Sequence, residues 1–187
     1  MTKSVSRSAA GAWLSALALL ATAPSGPASA QEADAALYSL LRRNGDDADR
    51  LYTTNPQEGD GGGYTQEGIV GKCFSQPVSG SSPLYRLYSP SASDHLYTTN
   101  DAEKDTSTKY NGYKLEGITC HVYTEQKPGT CPLFRLFGWS PRSSHIYTLD
   151  KSEVDRAVAG TSDPGQTYFL EGVAAFLAPH GTETCPR

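Results

Sequence analysis

The sequence predicts a mostly β fold with short helices, built from three repeats in a closed pseudo-threefold, β-trefoil-like arrangement. Three related segments carry this prediction: DRLYTTNPQE, DHLYTTNDAE and SHIYTLDKSE, which begin at Asp49, Asp94 and Ser144 and so lie 45 and 50 residues apart. One unit of that length cannot bury its apolar face alone, so the three units must share a core. Another closed assembly of three β-rich units is the alternative.

Three sequence motifs recur in the same order in every repeat. The first is ALYSLL, PLYRLY or PLFRLF, the second RLYTT, HLYTT or HIYTL, and the third YTQEGIV, YKLEGIT or YFLEGVA. Aromatic and β-branched residues dominate the first two motifs, and turn-forming residues such as SPSASD separate them, which predicts a pair of strands. The third motif predicts a strand pair or one long strand that bends at a glycine such as Gly117.

Helices are predicted after the second motif in two of the three repeats. In the second repeat, Asn100 or Thr99 can cap a short helix, and Glu103 stands in the capping-box position relative to Asn100. In the third repeat, Asp150 can cap LDKSEVDRAVAG, and Gly160 ends it. The first repeat has NPQEGDGGG at this place, which predicts a turn instead.

The N-terminus has the pattern of a secretion signal. Residues 1–30 carry Lys3 and Arg7, then an apolar run, and they end on ASA, the small-residue pattern that signal peptidase favours. We therefore expect a secreted, extracellular protein. The remaining residues, 31–187, predict a single domain with repeats at about 36–82, 83–131 and 132–185.

The charge of the chain disfavours two classes of partner. The net charge is −4 with histidine neutral, and no basic run is present. Nucleic acids and anionic membrane surfaces both require clustered lysine and arginine, so we expect neither as a partner.

Four cysteines predict structural disulfides in an exported chain. They are Cys73, Cys120, Cys131 and Cys185, and they permit three connectivities. We favour Cys131 with Cys185 because these two bracket the third repeat, which leaves Cys73 with Cys120. Their spacing does not match the paired cysteines of zinc sites.

The motifs PLYRLYSPSASDHLYTTNDAE and GYKLEGI resemble an uncharacterised family of secreted tyrosine-rich repeats, often appended to secreted hydrolases. The resemblance covers about residues 37–177. It implies an extracellular, non-catalytic module whose expected role is surface or carbohydrate binding. The first repeat departs from the pattern, since Ser39 stands where Arg86 and Arg135 stand, and Arg50 replaces a histidine.

A glutamate precedes the glycine of the third motif in every repeat, at Glu67, Glu116 and Glu171. A catalytic role would require two carboxylates in different environments, which a symmetric set does not supply. We therefore predict structural ion pairs, in which Glu116 and Glu171 accept from the mid-strand arginines and Glu67 from Arg50. The members of this set are Arg86, Arg135, Glu116, Glu171, Glu67 and Arg50.

Two histidines, His95 and His145, occupy matching positions. A metal site would need a third ligand nearby, and the repeat places matching residues apart. We therefore predict hydrogen-bonded structural histidines, no metal and no cofactor. No nucleophile motif or phosphate-binding loop is present, so we expect no enzymatic activity.

Aromatic residues are abundant, with eleven tyrosines and two tryptophans beside one methionine. Those that recur predict core packing, whereas Trp139, in the turn FGWSPRSS, suggests an exposed platform for a sugar ring. The predicted carbohydrate-binding residues are Asp94, Asn100, Asp101, Trp139 and Tyr88. The predicted partner is therefore a polysaccharide or other extracellular or cell-wall glycan, held by surface turns of the repeats. The alternative is a structural scaffold or a module that binds a secreted protein, such as a protease inhibitor.

Overall fold

The computed structural model describes residues 1, 32–45, 47–139, 143–163, 165–181 and 184–185. Apart from Met1, the predicted signal peptide lies outside these ranges. Within them the chain is mostly β with two short helices, as the strand motifs predict.

Each repeat contains three strands, and the later two repeats add a helix before the last strand. The first repeat consists of β1 (Ala35–Asn44), β2 (Asp47–Thr53) and β3 (Thr65–Cys73). The second consists of β4 (Ser81–Ser89), β5 (Asp94–Thr98), α1 (Asp101–Tyr110) and β6 (Lys114–Tyr123). The third consists of β7 (Cys131–Gly138), β8 (Ser144–Thr148), α2 (Lys151–Val158) and β9 (Tyr168–Leu177).

The first strand of each repeat lies between the other two and pairs with both in antiparallel fashion. The sheet orders are β2-β1-β3 and β5-β4-β6-β9-β7-β8. One register pair, Tyr123 with Phe176, joins β6 to β9 and so connects the second repeat to the third. The same three-stranded unit is therefore present three times, while its β-trefoil-like closure stays a prediction.

Both helices begin after a predicted capping residue, and α2 ends just before Gly160, as predicted. Asn100 accepts hydrogen bonds from the backbone N–H groups of Ala102 and Glu103, and Asp150 caps α2 in the same way through Ser152. Gly160, with φ of +73°, follows the end of α2. The capping box is only half formed, because the Glu103 side chain binds an arginine of the third repeat instead of returning to Asn100.

The core lies where equivalent residues of the three repeats meet. Three leucines from the first strands of the repeats are at most 1% exposed: Leu37, Leu84 and Leu133. They pack in one cluster with three tyrosines from the second strands, Tyr52, Tyr97 and Tyr147. The tyrosine rings contact one another pairwise, with centroids 5.3 to 5.5 Å apart. The recurring tyrosines are therefore core residues, as their repetition predicts.

Two disulfides stabilise the fold, and both have the favoured connectivity. Cys73 bonds to Cys120 and joins the first repeat to the second, and Cys131 bonds to Cys185. Disulfides of this kind suggest an oxidising, extracellular environment. Among the described residues, no helix is long and apolar enough to cross a membrane.

Candidate functional site

Two buried aspartates connect neighbouring repeats. Asp49 accepts a hydrogen bond from the Tyr64 hydroxyl of its own repeat at 2.6 Å, and its other oxygen lies 2.7 Å from Nδ1 of His95 in the second repeat. Asp94 has the equivalent partners one unit later. One of its oxygens accepts from the Tyr113 hydroxyl at 2.6 Å and lies 2.7 Å from Nδ1 of His145, and the other accepts from the His145 backbone N–H at 2.9 Å. The two carboxylates are 1% and 2% exposed, so they act between repeats and not at the surface.

We call the contact region between two repeats a junction. At the third junction, between the third repeat and the first, a different set of residues connects the repeats. Ser144 stands where the other repeats have aspartate, and Asp163, from the segment between α2 and β9, supplies the carboxylate. Asp163 accepts hydrogen bonds from Arg50 at 3.0 and 3.3 Å and from the Tyr168 hydroxyl at 2.6 Å. Burial alone would raise the pKa of Asp163, but the Arg50 guanidinium and the tyrosine hydroxyl lower it from 3.8 to about 2.

The glutamates of the third motif are bulged residues. In β6 the register with β4 shifts so that Gly117 lies opposite Arg86 and Glu116 has no partner residue on β4. In β9, Gly172 likewise lies opposite Arg135, and Glu171 has no partner residue on β7. A bulge turns a side chain away from the regular pleat. As a result, Nε of Arg86 lies 2.8 Å from Glu116, and Nε of Arg135 lies 2.7 Å from Glu171.

A second glutamate, contributed by the preceding repeat, completes each arginine's contacts. Arg86 donates to Glu58 at 2.7 Å, and Arg135 donates to both oxygens of Glu103 at 3.0 and 2.9 Å. The nearby His95 imidazole and the charge of Arg86 hold the pKa of Glu116 below its usual value. A general acid requires a raised pKa, so the lowered pKa of Glu116 and its pairing with Arg86 favour a structural role for this glutamate.

The predicted histidines lie inside these contacts. His95 and His145 are both 6% exposed. Besides its aspartate, each has Nε2 near the glutamate of its own repeat, Glu116 at 3.6 Å and Glu171 at 3.7 Å. Among the residues that the structure describes, no group of three or more His, Cys, Asp or Glu side chains is placed to hold a metal ion.

The predicted carbohydrate-binding residues do not lie together in one site. Asp94 is in the interior, as described above. Asn100 uses its side chain to cap α1, and Tyr88 is half-buried with its ring 4.6 Å from that of His95. Asp101 is exposed on α1, where it accepts a hydrogen bond from Lys104 at 2.9 Å.

Trp139 is the most exposed aromatic of this predicted set. Its side chain is 69% exposed and lies edge-on to Phe169, which is itself 54% exposed, with ring centroids 5.8 Å apart. Phe169 pairs in register with Phe137 at the start of β9, so the end of the sheet fixes its backbone. The two rings form an aromatic surface, which we call the Trp139–Phe169 platform.

Three kinds of residue were missed by sequence reasoning. Glu58 and Glu103 recur at the last position of the aligned segments, but only Glu103 was given a role, as a helix-capping residue. Asp163 has no counterpart in the other repeats, although Ser144 in place of an aspartate was a sign that a substitute was needed. Phe169 gave no signal, since Thr65 and Lys114 occupy its position elsewhere.

Comparison with known proteins places the chain in a family. The family model of the domain of unknown function DUF5648 matches residues 36–177, which include all nine strands and both helices except for Ala35. No curated protein matches the chain, and no solved structure matches it. The match covers more than half of the sequence, and the chain therefore belongs to the DUF5648 family.

Proposed function

We propose that the protein is a secreted, non-catalytic module that binds extracellular or cell-wall carbohydrate, with its three repeats closed in a pseudo-threefold, β-trefoil-like manner. The Trp139–Phe169 platform is the observation that carries the binding proposal. Trp139 and Phe169 are exposed side by side, and a contiguous exposed apolar patch marks an interaction site more often than a single exposed residue does. An aromatic face packs well against the apolar C–H face of a sugar ring.

The interior contacts support a non-catalytic role. The arginines and histidines at the repeat junctions are engaged with carboxylates that are themselves paired, so these groups stabilise the fold. The proposed binding surface lies outside this network, and a change to it should therefore leave the fold intact.

The test is binding of the purified, disulfide-bonded protein to insoluble chitin, cellulose, peptidoglycan and xylan, with soluble sugars as competitors. We expect saturable binding to at least one polymer, and Trp139→Ala should weaken it by about tenfold, as for a central aromatic contact. Tyr110→Ala is the matched control, because Tyr110 is 70% exposed on α1 and has no second ring beside it in the described structure. Both variants should keep the wild-type Tm.

Absence of binding to every polymer would contradict the proposal and favour a scaffold or a protein-binding module. Equal binding by the Trp139→Ala variant would reject the platform as the site.

A further inference from the structure

Two of the three repeat junctions hold an arginine between two glutamates, and the third does not. Arg86 lies between Glu58 and Glu116, and Arg135 is held in the same way by Glu103 and Glu171. At the third junction the equivalent glutamates are Glu153 on α2 and Glu67 on β3. Ser39 stands at the arginine position and lies opposite Gly68, as Arg86 lies opposite Gly117.

The third junction, which lacks this arginine, has a larger recess than the junction of the first and second repeats. At the junction of the first and second repeats, Thr53, Glu58, Arg86 and Glu116 line a recess of about 190 Å³. The equivalent residues at the third junction, Thr148, Glu153, Ser39 and Glu67, line one of about 340 Å³. We call the latter the Ser39 recess. It extends inward to the buried side chains of Tyr52 and Tyr147, where the arginine would otherwise stand.

The charges around the Ser39 recess are only partly neutralised. Glu67 accepts a hydrogen bond from the Ser39 hydroxyl at 2.8 Å and one from Arg50 Nε at 3.2 Å. The terminal nitrogens of Arg50 turn away to Asp163. Within the described part of the chain, no cationic side chain pairs with the Glu153 carboxylate, whereas its counterparts Glu58 and Glu103 each bind an arginine.

We propose that the Ser39 recess binds the side chain of an arginine residue supplied by a peptide or protein partner. The guanidinium would take the place that Arg86 and Arg135 occupy in the other repeats, donating toward Glu153. A planar guanidinium suits this site better than an ammonium group because its fork of donors can contact a carboxylate through two parallel hydrogen bonds. The wall of Tyr52, Tyr147 and Ile69 can pack against the methylene stem of the ligand.

This proposal is independent of carbohydrate binding, because the Ser39 recess and the Trp139–Phe169 platform share no residue. The experiment is an NMR titration of the ¹⁵N-labelled protein with N-acetyl-L-arginine N-methylamide. The citrulline analogue serves as a neutral control of the same shape. We expect saturable shifts of the backbone amides of Gly68, Ile69 and Asp150, and binding of the citrulline analogue should be at least about tenfold weaker.

Two variants test the site, one by filling the recess and the other by removing a carboxylate. Ser39→Arg restores the arginine of the other repeats and should weaken ligand binding at least about tenfold, because its own guanidinium fills the recess. Glu153→Gln removes the carboxylate without adding bulk and should weaken binding similarly. Glu125→Gln is the matched control, since its side chain is 82% exposed and remote from the recess; it should bind as the wild type does.

Three outcomes would overturn the proposal: no saturable shifts in the wild-type protein, equal binding of the citrulline analogue, or unchanged binding in the Glu153→Gln variant. Binding by the Glu153→Gln variant tests the proposal even if the Ser39→Arg protein does not fold. Failure of the polysaccharide experiment would leave this result unaffected, because its ligand and surface are different.

Discussion

Tyr52 and Tyr97 exchange two hydrogen bonds through a single hydroxyl. The Tyr97 hydroxyl accepts from the backbone N–H of Tyr52 at 2.8 Å and donates to the Tyr52 carbonyl at 2.8 Å. Tyr147 relates to Tyr97 in the same way, and the Tyr52 hydroxyl accepts from the backbone N–H of Tyr147 at 2.8 Å. The tyrosine hydroxyls thus satisfy backbone groups of the neighbouring repeat in the middle of the core.

Tyr97→Phe should destabilise the protein although it removes only one oxygen atom. The change leaves a buried N–H and a buried carbonyl of Tyr52 without partners, at a cost of about 3 kcal/mol in the free energy of unfolding. Urea unfolding measures this. Tyr110→Phe, at an exposed tyrosine, should change the free energy by less than about 0.5 kcal/mol. Equal effects of the two substitutions would contradict a stabilising role for the hydroxyl.

Asp163→Asn should destabilise the third junction in a pH-dependent way. The folded pKa of Asp163, about 2, lies below its ordinary value of 3.8, so the stabilisation is present above pH 3.8 and is lost as pH falls through about 2. The ionised Asp163 carboxylate therefore contributes about 2 kcal/mol to the free energy of unfolding at pH 7. Urea unfolding at pH 7, 4 and 3 measures the free energy of unfolding. The difference between wild type and Asp163→Asn should become smaller toward pH 3.

The matched control is Asp105→Asn, because the Asp105 side chain is 74% exposed on α1. The free energy of unfolding of this variant should differ little from that of the wild type at every pH. A constant difference for Asp163→Asn across the three pH values would show that the carboxylate does not contribute through its ionisation.

His95 should make the stability of the protein fall as the pH rises above 6.5. Burial alone would lower the pKa of His95, but its hydrogen bond to Asp49 and the nearby Glu116 carboxylate outweigh burial and raise the pKa above 6.5. A histidine with a raised folded pKa contributes its full stabilisation below 6.5 and loses it as the pH rises through the folded value. Urea unfolding between pH 5.5 and 9 should therefore show a downward slope that His95→Gln reduces.

The control for this slope is His180→Gln, at an exposed residue near the C-terminal end of the described chain. That variant should keep the wild-type slope. If His95→Gln keeps it as well, other groups account for the pH dependence.

Much of the fold follows from local sequence signals, because those signals act over a few residues. The strands follow from aromatic and β-branched motifs, and the helix ends follow from Asn100, Asp150 and Gly160. The arginine–glutamate neighbours Arg86 and Glu116 could be expected from the requirement that a mid-strand arginine has a partner. The bulge that aims the glutamate depends on the register between strands, which the single sequence does not specify.

The contacts between repeats were much less predictable. Asp94 precedes a histidine in a polar turn, which suggested a surface ligand group, yet it is 2% exposed because His145 and Tyr113 both bind it. Those partners come from another repeat or from a different strand, so only the packing of the units brings them together. The role of Asp163 could not be predicted for the same reason. It lies at a different position in its repeat from Asp49 and Asp94, yet it supplies the equivalent carboxylate.

Glu116→Gln distinguishes the structural role of the repeated glutamates from a functional one. The glutamate contacts both Arg86 and His95, and its side chain is 32% exposed. Solvent screens such a pair, so the loss should be modest, about 1 kcal/mol in the free energy of unfolding. Thermal unfolding should show a lower Tm than for Glu125→Gln, which removes an equal charge from an exposed position. Polysaccharide binding by the folded variant should equal that of the wild type, because the Trp139–Phe169 platform does not include this residue. A Glu116→Gln protein with wild-type stability and lost binding would reverse the assignment and place the glutamate in the ligand site.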